Sequence, residues 1–200
     1  ESCCKWACKI NATNRIPEYV SMAFRHAQDN SPGPVYLEVP TDLLSTQVDL
    51  ERVKFPTNYM ATSIPGGAPA LIEEAAALLA SADRPAVVVD DGAFWTLGEN
   101  SEAISELSDF LKMPIGVVGT GCRGHFGNER ENAMVKLNAS SKADVVLALG
   151  CRFDFRHGSG AAISRDAKII QVHSDPRQIG FNLRADVGIV GGAGSVAKQI

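Results

Sequence analysis

Five short, nearly unbroken apolar runs constrain the folding of this chain more than any other feature: Ala86–Val89, Ile115–Val118, Val145–Leu149, Ile169–Val172 and Val187–Val190. Such β-branched runs, without polar alternation, mark strands buried on both faces, as in a parallel sheet. Helical or irregular segments separate them. A stripe of Leu71, Ile72, Ala75, Leu78 and Leu79 predicts a helix from Ala68. A second helix is expected over 101–112, with Asn100 or Ser101 as its cap and Ile104, Leu107 and Leu111 along its buried edge. Strand–helix alternation predicts an α/β domain with a Rossmann-like, doubly wound, mainly parallel sheet. About 130 of the 200 residues belong to it, enough to fold alone.

The preceding part reads differently. Residues 16–28 have helical spacing through Ile16, Val20, Ala23, Phe24 and Ala27, with Pro17 in the first turn. After Ser31-Pro32-Gly33-Pro34, Val35–Val39 reads as a strand ended by Pro40. No sustained period follows as far as Ile64-Pro65-Gly66-Gly67. The expected organisation is therefore 1–45 as the tail of one domain, 46–66 as a linker and 67–200 as a second domain. Neither end carries the mark of a natural terminus, so both read as cut from a longer polypeptide.

The apolar share of 45% excludes disorder, and a net charge of −4 without basic runs argues against nucleic acid or an anionic membrane as partner. No apolar run reaches the length of a membrane span. Five cysteines cannot all pair internally, and no C-x-x-C pair with downstream ligands is present. Reduced cysteines in a cytoplasmic protein are expected, with no metal site. No G-x-S-x-G elbow occurs, the spacing of Cys151 to His157 fixes no geometry, and His125, His157 and His173 are scattered. Trp6 and Trp95 read as packing residues.

Ligands of such sheets bind beyond the carboxyl ends of the strands. Those ends carry Asp90-Asp91-Gly92, then Gly119-Thr120-Gly121, then Gly150-Cys151-Arg152-Phe153-Asp154-Phe155-Arg156, then His173-Ser174-Asp175, and finally Gly191-Gly192-Ala193. Glycines admit a ligand close to the backbone, and the Arg152 and Arg156 forks suit a pyrophosphate. Short βα turns need glycine with or without a ligand, and no full G-x-G-x-x-G is present. Asp90 and Asp91 would repel phosphate and instead accept ribose hydroxyls or cap the next turn.

Three ordered motifs resemble thiamine diphosphate-dependent enzymes of the acetolactate synthase type. Ser31-Pro32-Gly33-Pro34-Val35-Tyr36-Leu37-Glu38-Val39-Pro40-Thr41-Asp42 resembles the stretch that closes their pyrimidine-binding domain. Leu149-Gly150-Cys151-Arg152-Phe153-Asp154-Phe155-Arg156 is similar to their L-G-x-R-F-D-x-R segment, and Ile169–Gly180 to the segment around their next strand. The resemblance implies a six-stranded central domain that holds the adenine nucleotide of FAD, or ADP or CoA, or nothing. It assigns Gly119, Thr120, Gly121, Gly150, Arg152, Asp154, Arg156, Ser174 and Asp175 to that groove. The departures at Asp90-Asp91, His173 and Gly191-Gly192-Ala193 weigh against FAD.

By the same resemblance, the activating glutamate and the G-D-G metal motif for thiamine diphosphate and Mg2+ lie outside this chain, which holds no catalytic residue. The implied partners are the remaining domains of a decarboxylase, lyase or carboligase acting on 2-oxo acids or acyloins, assembled as a dimer or tetramer. The alternatives are a stand-alone FAD-, ADP- or CoA-binding module and a ligand-free scaffold.

Overall fold

The computed structural model describes residues 3–29, 31–97, 100–126 and 139–200. The chain divides into two compact units, Glu1–Ser63 and Ile64–Ile200.

In the first unit, β1 (Trp6–Lys9) pairs in parallel with β2 (Val35–Glu38), and α1 (Ile16–Gln28) joins them. α1 begins on Pro17, where a missing N–H costs nothing, and buries Tyr19, Ser21 and Ala23. Val20 and Phe24, expected on the apolar side, are exposed, because the helix turns its Tyr19–Ala23 edge inward. Trp6 stacks on His26 with ring centroids 4.9 Å apart. A short α2 (Thr41–Ser45) follows β2, and a 3-10 turn at Leu50–Arg52 interrupts the stretch read as a linker.

The second unit is built on five parallel strands: β3 (Pro85–Val89), β4 (Ile115–Val117), β5 (Val145–Leu149), β6 (Lys168–His173) and β7 (Val187–Val190). Their order is β4-β3-β5-β6-β7, so all five apolar runs form strands of one parallel sheet. Among the described residues the sheet has five strands, one fewer than the family resemblance implies. Side chains alternate between its two faces. Val87, Val89, Leu147, Leu149, Ile170 and Val172 enter one core, and Ala86, Val88, Val146, Ala148 and Ile169 enter the other. Each fully buried Val, Leu or Ile contributes about 1.5–3 kcal/mol, which explains why polar alternation is missing.

Helices α3 (Pro69–Ala80), α5 (Ser101–Phe110) and α6 (Ala193–Gln199) cover the first core, each through its apolar stripe. At α5 the cap position falls to Asn100, but its side chain caps nothing and reaches Ser195 Oγ at 3.5 Å instead. Between β3 and α5 stands a one-turn helix, α4 (Asp91–Phe94). Trp95 follows it and is 61% exposed, so it does not pack as expected. Among the described residues no helix is long and apolar enough to cross a membrane.

Candidate functional site

From β3 the chain crosses to β4 on one side, and β5 then returns to pair with β3 on its other side. The connections leaving β3 and β5 therefore diverge, and the crevice between their carboxyl ends is where such sheets bind ligands. Two segments meet there: Asp90–Phe94 after β3 and Gly150–His157 after β5.

Asp90 extends the ladder, its N–H donating to Leu149 O at 3.0 Å, which holds its side chain at the sheet end with 1% exposure. Its Oδ1 accepts the Asp91 N–H at 2.7 Å and so caps α4. The capping role expected for this pair thus falls to Asp90. Asp91 points toward the loop after β4, where its Oδ1 accepts the Gly121 N–H at 2.9 Å. A side chain at Gly119 would strike Asp91, with its Cβ 2.5 Å from Oδ1. The glycine loop expected to receive a phosphate therefore receives a carboxylate of the same chain.

Gly150 continues β5 through its N–H to Val172 O at 2.8 Å and then turns with φ +66°. A Cβ there would lie 1.9 Å from Ala93 N, so only glycine lets α4 seat on the strand end. Beyond it, Phe153 is fully buried with φ +50°, a strained geometry for a bulky residue. That turn brings Asp154 and Arg156 back over Asp90 and Asp91.

Arg156 is the centre of the cluster. Its Nη1 donates to Asp91 Oδ2 at 2.6 Å and lies 3.2 Å from Asp90 Oδ1. Its Nη2 donates to Asp154 Oδ2 at 2.8 Å and to Asp90 Oδ2 at 3.4 Å, and its Nε to Asp154 Oδ1 at 3.1 Å. The fork expected to grip a pyrophosphate is thus engaged by three carboxylates. Hydrogen bonds from Arg156 hold the Asp154 carboxyl down at about 2. Burial works to raise Asp91, but the Gly121 N–H and Arg156 outweigh it and its carboxyl titrates below the usual range. Asp90 goes the other way: burial dominates and lifts it despite the Asp91 N–H and Arg156.

The remaining predicted residues stand apart from this cage. Arg152 and Thr120 are exposed. Ser174 is half-buried, and Asp175 turns to Arg177, accepting from its Nε at 2.9 Å and its Nη2 at 2.8 Å. His173, which replaces an acidic residue of the resembled pattern, accepts the Asp175 N–H on Nδ1 at 2.9 Å; burial lowers its pKa. The structure therefore gathers Gly119, Gly121, Gly150, Asp154 and Arg156 about α4. It adds Asp90 and Asp91, expected only as ribose acceptors or turn caps, and Cys151 and His157, whose spacing fixed no geometry. Paired aspartates directly after a buried strand were the available signal for the first two. Cys151 and His157 carried none beyond their place in the same strand-end loop.

The family described as thiamine pyrophosphate enzyme, central domain, matches residues 72–200. The chain is 32% identical to the probable acetolactate synthase large subunit of Methanocaldococcus jannaschii, over 96% of this chain and 34% of that protein. It is 30% identical to the acetolactate synthase large subunit IlvB1 of Mycobacterium tuberculosis, over 96% and 32% respectively. The acetolactate synthase of Arthrospira platensis is also 30% identical, over 91% and 34%. The chain spans about a third of the length of the curated relatives it matches. With its five-stranded parallel sheet and strand-end motifs, the chain belongs to the thiamine pyrophosphate enzyme family through the central domain, and its likeness within that family is to acetolactate synthases.

Proposed function

We propose that this chain is the central scaffold of a thiamine diphosphate-dependent enzyme acting on 2-oxo acids, and that its strand-end crevice takes no adenine nucleotide. The carrying observation is the cage about Arg156. A diphosphate entering the crevice meets Asp90, Asp91 and Asp154, while the Arg156 guanidinium is already paired and Arg152 stands outside the cage, exposed to solvent. Each carboxylate about 4 Å from a phosphate oxygen opposes it by about 4 kcal/mol at an effective dielectric near 20. The Gly121 N–H, a natural phosphate donor, is used by Asp91. FAD, ADP and CoA share the diphosphate and meet the same opposition.

Residues 1–45 are read as the tail of the pyrimidine-binding domain, 46–66 as a linker and 67–200 as the central domain. A two-stranded parallel sheet with Val20, Phe24 and Tyr36 exposed supports the first assignment, because parallel strands are stable when both faces are covered. Thiamine diphosphate supplies the carbanion chemistry when bound, with Mg2+ on its diphosphate, at sites outside this chain. This chain's residues hold the crevice closed and position the flanking domains of a cytoplasmic homo-oligomer.

Calorimetric titration with thiamine diphosphate and Mg2+, FAD, ADP and CoA tests the reading. No heat is expected from the 200-residue chain with any of them. Micromolar thiamine diphosphate binding would overturn the scaffold assignment, and micromolar FAD, ADP or CoA binding would overturn the closed crevice. For the full-length protein, acetolactate formation from pyruvate is expected with thiamine diphosphate and Mg2+ alone. A requirement for added FAD would contradict it.

A further inference from the structure

Directly beneath the Arg156 cage, Asp90, Cys151 and His157 are all buried, and their ligand-type atoms lie within 4.8 Å of one another. His157 is 4% exposed, and among the described residues its two ring nitrogens are the buried side-chain nitrogen or oxygen atoms without a hydrogen-bond partner. A buried imidazole left unpaired is costly, so its persistence calls for an occupant. The ring is held edge-on to Phe153, 5.5 Å between centroids, with Nδ1 4.0 Å from Asp90 Oδ2 and 3.9 Å from Asp154 Oδ1. Those separations are too long for hydrogen bonds and fit an atom lying between the groups.

The local charge calls for a cation. Three carboxylates surround one guanidinium, a local surplus of acid that Arg152, acting on Asp91 from outside the cage, offsets only in part. Asp90 Oδ1 takes the short Asp91 N–H bond and the nearer Arg156 nitrogen, whereas Oδ2 holds only a long 3.4 Å contact from Arg156 Nη2 and is the oxygen that faces His157. Against His157 lies a cavity of about 210 Å³, also lined by Val88, Val117, Arg123, Arg156 and Ile163, with room for water or a small ligand.

We propose that Asp90, Cys151 and His157 form a site for a divalent transition-metal cation of the zinc class, with a fourth position facing the cavity. One thiolate, one imidazole and one carboxylate is a donor set that zinc accepts, whereas magnesium and calcium require oxygen. Donor atoms on tetrahedral zinc stand roughly 3.5 Å apart, so small side-chain rotations close the present arrangement around the ion. On binding, the Cys151 S–H bond breaks, a metal–sulfur bond forms and the proton leaves to solvent, with no change of oxidation state. The site shares Asp90 with the carboxylate cage, but its test does not depend on the thiamine diphosphate reading.

The test is titration of metal-stripped full-length protein with Co2+, followed by displacement with Zn2+. A thiolate-to-cobalt charge-transfer band that saturates at one Co2+ per chain is expected in protein freed of thiamine diphosphate, and Zn2+ abolishes it. Cys151→Ser removes the band, His157→Gln weakens Zn2+ binding at least about tenfold, and Cys122→Ser, at the neighbouring buried thiol, keeps both. Absence of the band, its survival in Cys151→Ser, or its loss in a folded Cys122→Ser overturns the assignment. Should Cys151→Ser fail to fold, X-ray absorption on the zinc-loaded unaltered protein decides: one sulfur among nitrogen and oxygen donors supports the site, and no sulfur refutes it.

Discussion

At the amino ends of the strands, Asp144 accepts the N–H groups of Asp83 and Arg84 at 2.8 and 3.0 Å, and Asp186 accepts that of Ile169 at 3.0 Å with Lys168 Nζ beside it. At the carboxyl ends, Asp90, Asp91 and Asp154 crowd a single guanidinium, and Asp90 is almost wholly buried. The same residue type serves opposite purposes. Where backbone donors and exposed cations match each carboxylate, aspartate is a clamp that ties neighbouring strands together. Where carboxylates outnumber their countercharge, the surplus opposes anions and invites a cation, which is the requirement of a site.

Breaking the cage should have the largest effect. Arg156→Ala strands Asp90 in a buried position and is expected to cost about 3 kcal/mol, measured by urea unfolding. A loss below about 1 kcal/mol would mean that something else neutralises the carboxylates. Asp144→Ala, at the opposite end, removes acceptors for two strand-leading N–H groups and should cost about 1 kcal/mol.

The pH dependence sharpens the contrast further. Burial opposes the ionised forms of Asp144 and Asp186, but backbone N–H bonds prevail and both titrate below 3.8. A carboxyl lowered by folding adds stability above its unfolded value, and that stability is lost as pH falls through the folded value. Stability should therefore decline below about pH 4, and Asp144→Asn should flatten that decline. Asp90 is raised by burial, so its ionisation weakens the fold as pH rises, and Asp90→Asn should not flatten the acid limb. Thermal melts at pH 2–5 separate the two. The smallest effect belongs to Lys168→Ala: its ion pair with Asp186 is 57% exposed on the lysine side, so under about 0.5 kcal/mol is expected by the same unfolding assay.

Much of the fold was legible because burial on both faces writes itself into composition. β3 to β7 coincide with the apolar runs, and α3 with its Leu/Ile/Ala stripe. β1 was not legible. Trp6-Ala7-Cys8-Lys9 has neither an apolar run nor clean alternation, and it becomes a strand through pairing with Val35–Glu38, nearly thirty residues away. α4 was hidden for a related reason: one turn of Asp91-Gly92-Ala93-Phe94 has no period to detect, and Gly150 admits it.

The candidate site divides the same way. Strand-end glycines, Asp154 and Arg156 stood out by position, since parallel sheets place function beyond their carboxyl ends. What Arg156 does there was not visible locally. A guanidinium reads equally as a phosphate fork or as an ion-pair partner, and the choice rests on Asp91, 65 residues earlier in the chain.

By itself, then, the sequence determined that strands and helices alternate, that the strands lie buried in parallel, and which family the motifs resemble, because apolar periodicity and turn chemistry act over a few residues. Tertiary structure alone decided that the crevice is filled by the chain's own carboxylates and that Cys151 and His157 meet Asp90. Strand order brings the ends of β3 and β5 together, and charge balance is a property of everything that converges there.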